Sequence, residues 1–172
     1  MRSIQADWSV LSGGSNQWTF ASGAVNGHST SGDSILASRK EYGDVTFSAM
    51  ARTPDREASL AIRMQDANNG YLIVFAPSGT AILPQAGYIS VVKRTDGNEA
   101  TLATYRGRKI PVASQTVKIT AIARGSLIEV QLNGVKILQT EDETSAAGKI
   151  GFRIYGDPTF PCDATFSKVT FH

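Results

Sequence analysis

The chain has 172 residues, of which 41% are hydrophobic and 19% charged, and its formal net charge is +2. That length suits a single domain over residues 1–172 with a core large enough to need no covalent staple. The small charge, with basic residues scattered along the chain, offers no track for nucleic acid, and a lone cysteine, Cys162, excludes an intrachain disulfide and a thiolate metal cage.

The opening "MRSIQADWSV" lacks the apolar run of a signal peptide, and no stretch is long enough to span a membrane as a helix. The chain therefore reads either as a cytoplasmic domain or as one module of a longer secreted protein. Following it, "SGAVNGHSTSGDS" (Ser22 to Ser34) is soft and polar and reads as a long surface loop or a loosely paired edge. "DVTFSAMAR" (Asp44 to Arg52) is a strand, alternating Val45, Phe47 and Ala49 against Thr46, Ser48 and Met50. Next comes "SLAIRMQDANNGYLIVF" (Ser59 to Phe75), two apolar runs about a polar turn. Alternation puts Leu60, Ile62 and Met64 on one side of its first strand, with Ala61, Arg63 and Gln65 on the other. Arg63 then sits on an open face, just before a turn that leads into Tyr71.

"APSGTAILPQAG" (Ala76 to Gly87) is a second soft loop. "GYISVVKR" runs into "TDGN", a hairpin signal because Gly and Asn tolerate positive φ, and "ATLATY" returns as its partner. The basic cluster "RGRK" (Arg106 to Lys109) reads as a loop tip. "QTVKITAIAR", "LIEVQLNG" and "VKILQT" form a meander turning through Asn133-Gly134, and "KIGFRIY" and "ATFSKVTF" complete the set. Many short strands at near-regular spacing, with no helix-length pattern, predict an all-β antiparallel sandwich or jelly roll.

The order of these pieces resembles the concanavalin A-like, laminin-G-like jelly-roll superfamily. Within it the chain is most similar to carbohydrate-binding module family 66, the fructan-binding modules attached to bacterial levanases. The resemblance rests on an N-terminal Trp, "ILAS…YGDVTFSA", "ASLAIRMQDANNGYLIVF", "VKITAIARGSLIEVQLNGVKIL" and "GKIGFRIYGDPTFPCDATFSKVTF". It implies two stacked antiparallel sheets, one of them concave, with ligand on the concave face or at its loop-lined end. It further implies a non-catalytic module that binds a polysaccharide, with a fructan such as levan as the expected ligand. Such a module is extracellular and monomeric, and is carried on a glycoside hydrolase or lyase.

The positions that match the family's polar strand residues are Arg63, Tyr71, Tyr155 and Asp157. Asp66 has the right chemistry beside them, because sugar recognition needs planar polar groups for vicinal hydroxyls and a ring for C–H faces. The last element departs from the family pattern. "PTFPC" lies between Asp157 and Asp163, so either can be the equivalent carboxylate. The resemblance also implies a structural calcium ion held by hard oxygen ligands, with Asp7, Asp33 and Asp163 as candidates.

An enzyme of the jelly-roll hydrolase group is the main alternative, and a structural or protein-interaction sandwich is the other. A glycosidase needs two carboxylates across the scissile bond, and the Glu-x-Asp-x-x-Glu pattern of jelly-roll glucanases is missing. The densest acidic stretch, "TEDETS", reads as a solvated loop. His28 and His172 are the only histidines, too few and too far apart in the chain for a histidine metal site or a Ser-His-Asp triad.

Overall fold

The computed structural model describes residues 7–84 and 86–172. Among these residues fourteen strands form two antiparallel sheets of seven. The first sheet runs in the order β1 (Trp8–Ser12), β4 (Gly32–Tyr42), β13 (Gly148–Gly156), β6 (Ala58–Asp66), β7 (Asn69–Ala76), β8 (Tyr88–Thr95) and β9 (Asn98–Tyr105). The second runs β12 (Val135–Glu141), β11 (Leu127–Leu132), β10 (Val117–Arg124), β5 (Val45–Arg52), β14 (Cys162–Phe171), β3 (Ala24–Ser29) and β2 (Trp18–Ala21). The expected all-β sandwich is present. One soft stretch is firmer than its composition suggests: Ala24–Ser29 is a strand paired on both sides, by β14 and by β2.

The alternating residues of both sheets meet in one core. Leu60, Ile73, Phe75, Val91 and Phe152 come from the first sheet, and Phe47, Ile119, Val130 and Phe166 from the second. Phe152 stacks on Phe166 with ring centroids 4.4 Å apart, and Phe47 and Trp8 pack against the same ring at 5.5 and 5.3 Å. Each such side chain contributes about 1.5–3 kcal/mol by leaving water.

The first sheet also carries apolar residues on its other face. Ile35, Ala37, Ala61, Met64, Leu72, Val74 and Val92 form a second, smaller cluster there. This explains the near-continuous apolar run "YLIVFA", since β7 is buried on both sides.

Met64 reaches that outer cluster because β6 is bulged. Its pairing with β7 is regular through Ile62–Tyr71 and shifts before Asp66–Asn69, and Arg63 in between has φ 51°. One residue in the left-handed region reverses the alternation after it. Met64 therefore parts from Leu60 and Ile62, contrary to the sequence expectation. Glycines permit the bulge: a Cβ on Gly148 would lie 2.5 Å from the Arg63 carbonyl carbon, and one on Gly70 2.9 Å from its oxygen.

Candidate functional site

The residues singled out in the sequence fall into three separate places. Arg63 is not on an open face; it is 1% exposed. Its Nη1 donates to Gly125 O at 2.6 Å and Ser145 O at 3.1 Å, and its Nε to Gly43 O at 3.3 Å. Nη2 meets Asp44 Oδ1 at 3.4 Å. The guanidinium thus ties the β4–β5 turn, the β10–β11 turn and the segment before β13 at one end of the sandwich, and its donors are engaged by protein.

Tyr71 belongs to the same end. Alternation along β7 turns it inward with Ile73 and Phe75, and it is fully buried. Its hydroxyl donates to Asp142 Oδ1 at 2.5 Å and accepts from Ser145 N at 3.2 Å, and Lys93 Nζ meets the other Asp142 oxygen at 2.9 Å. Burial first, then the Asp142 carboxylate, pushes the Tyr71 hydroxyl up to about 12. Burial alone would raise the Asp142 carboxyl, but hydrogen bonds from Tyr71, Thr144 and Lys93 override it and hold the group below the ordinary range. Asp66 is exposed and closes the β6–β7 turn, accepting from Asn68 N at 2.7 Å and Asn69 Nδ2 at 3.0 Å. Neither Arg63 nor Tyr71 is placed to meet a ligand from solvent.

Tyr155 and Asp157 lie at the far end of β13. The Arg56 guanidinium sits 4.7 Å from the Tyr155 ring centroid and that of Arg153 5.4 Å from it. Asp157 accepts from Phe160 N at 2.8 Å, Thr159 N at 3.0 Å and Arg56 Nη1 at 3.1 Å, so it closes the turn made by the extra residues.

The three carboxylates expected to hold calcium do not converge. Asp7 is beside Trp8, Asp163 pairs with His28 Nδ1 at 2.6 Å, and both Asp33 oxygens face guanidiniums. Among the described residues no group of three or more His, Cys, Asp or Glu side chains is gathered for a metal ion. Two arginines on Asp33 would repel a cation, so this donor set does not fit calcium.

Asp33 instead anchors a charged cluster on the outer face of the first sheet. Alternation puts it there: Phe152 and Ile154 point into the core, leaving Arg153 and Tyr155 outward, and Ile89 and Val91 do the same for Tyr88, Ser90 and Arg94. Arg153 Nε meets Asp33 Oδ1 at 2.5 Å and its Nη1 meets Glu57 Oε1 at 2.5 Å. Arg94 meets Asp33 Oδ2 at 2.9 Å and Glu99 Oε1 at 2.8 Å. Burial works against charge in Asp33, but the Arg94 hydrogen bond and the Arg153 charge prevail and hold its carboxyl below the ordinary range. Burial likewise opposes the charge on Arg153, and Glu57 and Asp33 overcome it.

Beside this cluster opens a cavity of about 320 Å³ with Val74 and Val92 among its lining residues and Glu57, Tyr88, Ser90, Glu99, Thr101, Thr104, Arg106 and Arg153 around them. Arg153 Nη2 is 4.0 Å from Glu99 Oε1, an ion pair too long for a hydrogen bond, and among the described residues no hydrogen bond engages that nitrogen. Glu57 and Glu99 each face their arginine through Oε1, leaving Oε2 as an acceptor. Arg106 lies over the Tyr88 ring at 5.2 Å, and burial, then Glu57, pushes the Tyr88 hydroxyl up. A fixed fork, two carboxylates, three hydroxyl side chains and a ring are the chemistry of polar-ligand recognition. Sequence reasoning passed over Glu57, Tyr88, Arg94, Glu99, Arg106 and Arg153. Three of them, Tyr88, Arg94 and Arg153, lie in the strands "YISVVKR" and "GFRIY", whose alternation could have placed each on a face but not on a shared one.

The shifts predict two stability limbs. A carboxyl held low in the folded state stabilises the fold above the ordinary carboxylate value and loses that contribution as pH falls, so Asp33 and Asp142 should weaken the fold below roughly pH 4. A phenol held high contributes fully below its unfolded value near 10 and loses the contribution on the way up to about 12. Thermal melts across pH should show both limbs. Tyr71→Phe should flatten the alkaline one, and an unchanged alkaline limb in that variant would remove Tyr71 as its source.

Two stacked antiparallel sheets of seven strands make the fold a jelly-roll β-sandwich. The chain belongs to the 3-keto-alpha-glucoside-1,2-lyase-like domain family, whose model matches residues 3–171. Among solved structures it is similar to the carbohydrate-binding module CBM66 from Bacillus subtilis, with 19% identity over 96% of this chain and 95% of that one and a TM-score of 0.77. It is also similar to a Bacillus licheniformis beta-glucanase, at 12% identity, 96% and 92% coverage and a TM-score of 0.70. A functionally unknown protein from Saccharomyces cerevisiae gives 13%, 97% and 96%, and 0.70. At these identities the likeness shows the fold. No curated protein matches the chain. Among the described residues no helix is long and apolar enough to cross a membrane.

Proposed function

We propose that this chain is a carbohydrate-binding domain that seats a polysaccharide, with a fructan such as levan as the first ligand to test, in the groove between β13 and β9, and that it works outside the cell without catalysing a reaction itself. The observation that carries this reading is Arg153, pinned by Asp33 and Glu57 with Nη2 left toward the groove beside Tyr88. A pre-organised fork of this kind loses little freedom on meeting vicinal hydroxyls. Each carboxylate of the cluster is ion-paired to a guanidinium, which suits acceptors of hydrogen bonds better than a proton-donating acid.

Affinity gels containing levan, inulin, pectin or β-glucan test it, together with a reducing-sugar assay on every polysaccharide that retards the protein. Retardation by at least one and release from none is the expected pair of results. No retardation, or release that vanishes in Glu57→Gln, would overturn the reading.

The family's description favours one rival, a lyase acting on 3-keto-α-glucosides. Such an elimination would pass the C2 proton, acidified by the neighbouring ketone, to Glu57 or Glu99 as base, form a C1=C2 double bond as the C1–oxygen bond breaks, and release the aglycone oxygen, which takes up a proton. Release of the aglycone from a 3-keto-α-glucoside, lost in Glu57→Gln or Glu99→Gln, would establish it in place of the binding role.

A further inference from the structure

Arg106 belongs to two cavities at once. It lines the groove, over Tyr88, and it lines a neighbouring cavity of about 200 Å³ with Ser78, Gly87, Arg108 and Ile110. Among the described residues no carboxylate lines the second cavity. Arg106, Arg108 and Lys109 are all exposed, and none has an ion pair among the described residues. The contrast with the charged cluster beside the groove is sharp, since Arg94 pairs with two acids there and Arg153 with three.

The loop that carries these cations is held in place. Ile110 N donates to Gly107 O at 3.3 Å, Ser78 N to Pro111 O at 3.3 Å, and Ala113 N to Ser78 O at 2.7 Å. Gly107 lies against the Tyr105 phenol so closely that a Cβ would be 2.2 Å from its oxygen. A cation presented by a pinned loop gives up less freedom on pairing than one on a loose tip.

We propose that the groove continues into a cationic subsite formed by Arg106 and Arg108, which takes the carboxylate of a uronosyl unit of the bound glycan. The proposal rests on the groove being a glycan site and narrows the class of glycan. A neutral chain satisfies the groove floor and leaves both guanidiniums in water. An acidic unit, one step further along, gains a charge-assisted fork on a planar carboxylate. The subsite faces solvent, so its contribution falls as salt rises.

Titration calorimetry of the whole chain tests this with oligogalacturonate and oligomannuronate, the methyl ester of each, and a levan oligosaccharide. At low salt each acid should bind about tenfold tighter than its ester, a step of one decade in affinity. The preference should shrink at high salt. Arg108→Gln should abolish it while ester and levan binding stay as in the parent. Arg106→Gln should abolish it and also weaken the neutral ligands, through the lost cover on Tyr88. Equal binding of acid and ester, or a preference that survives Arg108→Gln, overturns the subsite. If levan binds and neither acid gains, the glycan groove stands and the cationic subsite falls; if no glycan binds, the groove itself is refuted and the subsite with it.

Discussion

Replacing Arg63 by alanine is expected to lower the melting temperature by roughly 10 °C or more, with glycan binding measured well below the melt left as in the parent. The side chain is 1% exposed, so its removal opens a void as well as stranding the carbonyls of Gly43, Gly125 and Ser145. Stranded buried acceptors cost about 1–3 kcal/mol each where water cannot replace the donor, and partial relaxation brings the whole to about 3–5 kcal/mol. Little of it comes from the Asp44 pair, because that carboxylate is 60% exposed and screened. Arg63→Lys should fall between, since an ammonium can keep the charge but cannot reach three carbonyls from one plane. A melt like the parent's together with lost glycan binding would return Arg63 to the ligand face.

The misplacement of Arg63 has a local physical cause. Period-two alternation predicts a face only while a strand stays in register, and β6 loses register at this very residue. The two glycines that make room for the bulge, Gly70 and Gly148, lie on other strands, the second of them 148 − 63 = 85 residues away in the chain. No local pattern around "IRMQD" could announce it. The strands themselves were legible because their periodicity and their Gly and Asn turns are local; the Thr95–Asn98 and Asn133-Gly134 turns fall where the sequence put them. Asp66 and Asp157 read as sugar contacts from their chemistry and the family match, but a carboxylate beside a turn can equally accept the backbone N–H groups that close it, as both do. The charged cluster was hidden for a different reason. Asp33, Glu57, Arg94, Glu99 and Arg153 come from five places in the chain, and only the order β4-β13-β6-β7-β8-β9 brings them onto one face.

Arg153→Lys is expected to weaken glycan binding about tenfold or more while retaining most of the stability. The two effects separate because Arg153 has two jobs. Toward the protein it is a cation between Asp33 and Glu57, and an ammonium can still balance those carboxylates. Toward the groove it is the Nη2 fork, whose direction is fixed by the bonds Nε and Nη1 make behind it, and a lysine has no third nitrogen to offer. Arg153→Met removes both, leaving the part-buried Glu57 without its cation while Asp33 keeps only Arg94, and should unfold more readily than the lysine variant. Adding Glu57→Gln to Arg153→Met should restore part of that stability without restoring binding. Calorimetry with the best glycan and melts of all three variants decide the matter. If Arg153→Lys binds as the parent does, the guanidinium serves the fold alone, and the ligand contacts must be sought among Tyr88, Ser90 and Thr104 on the β8–β9 side of the groove.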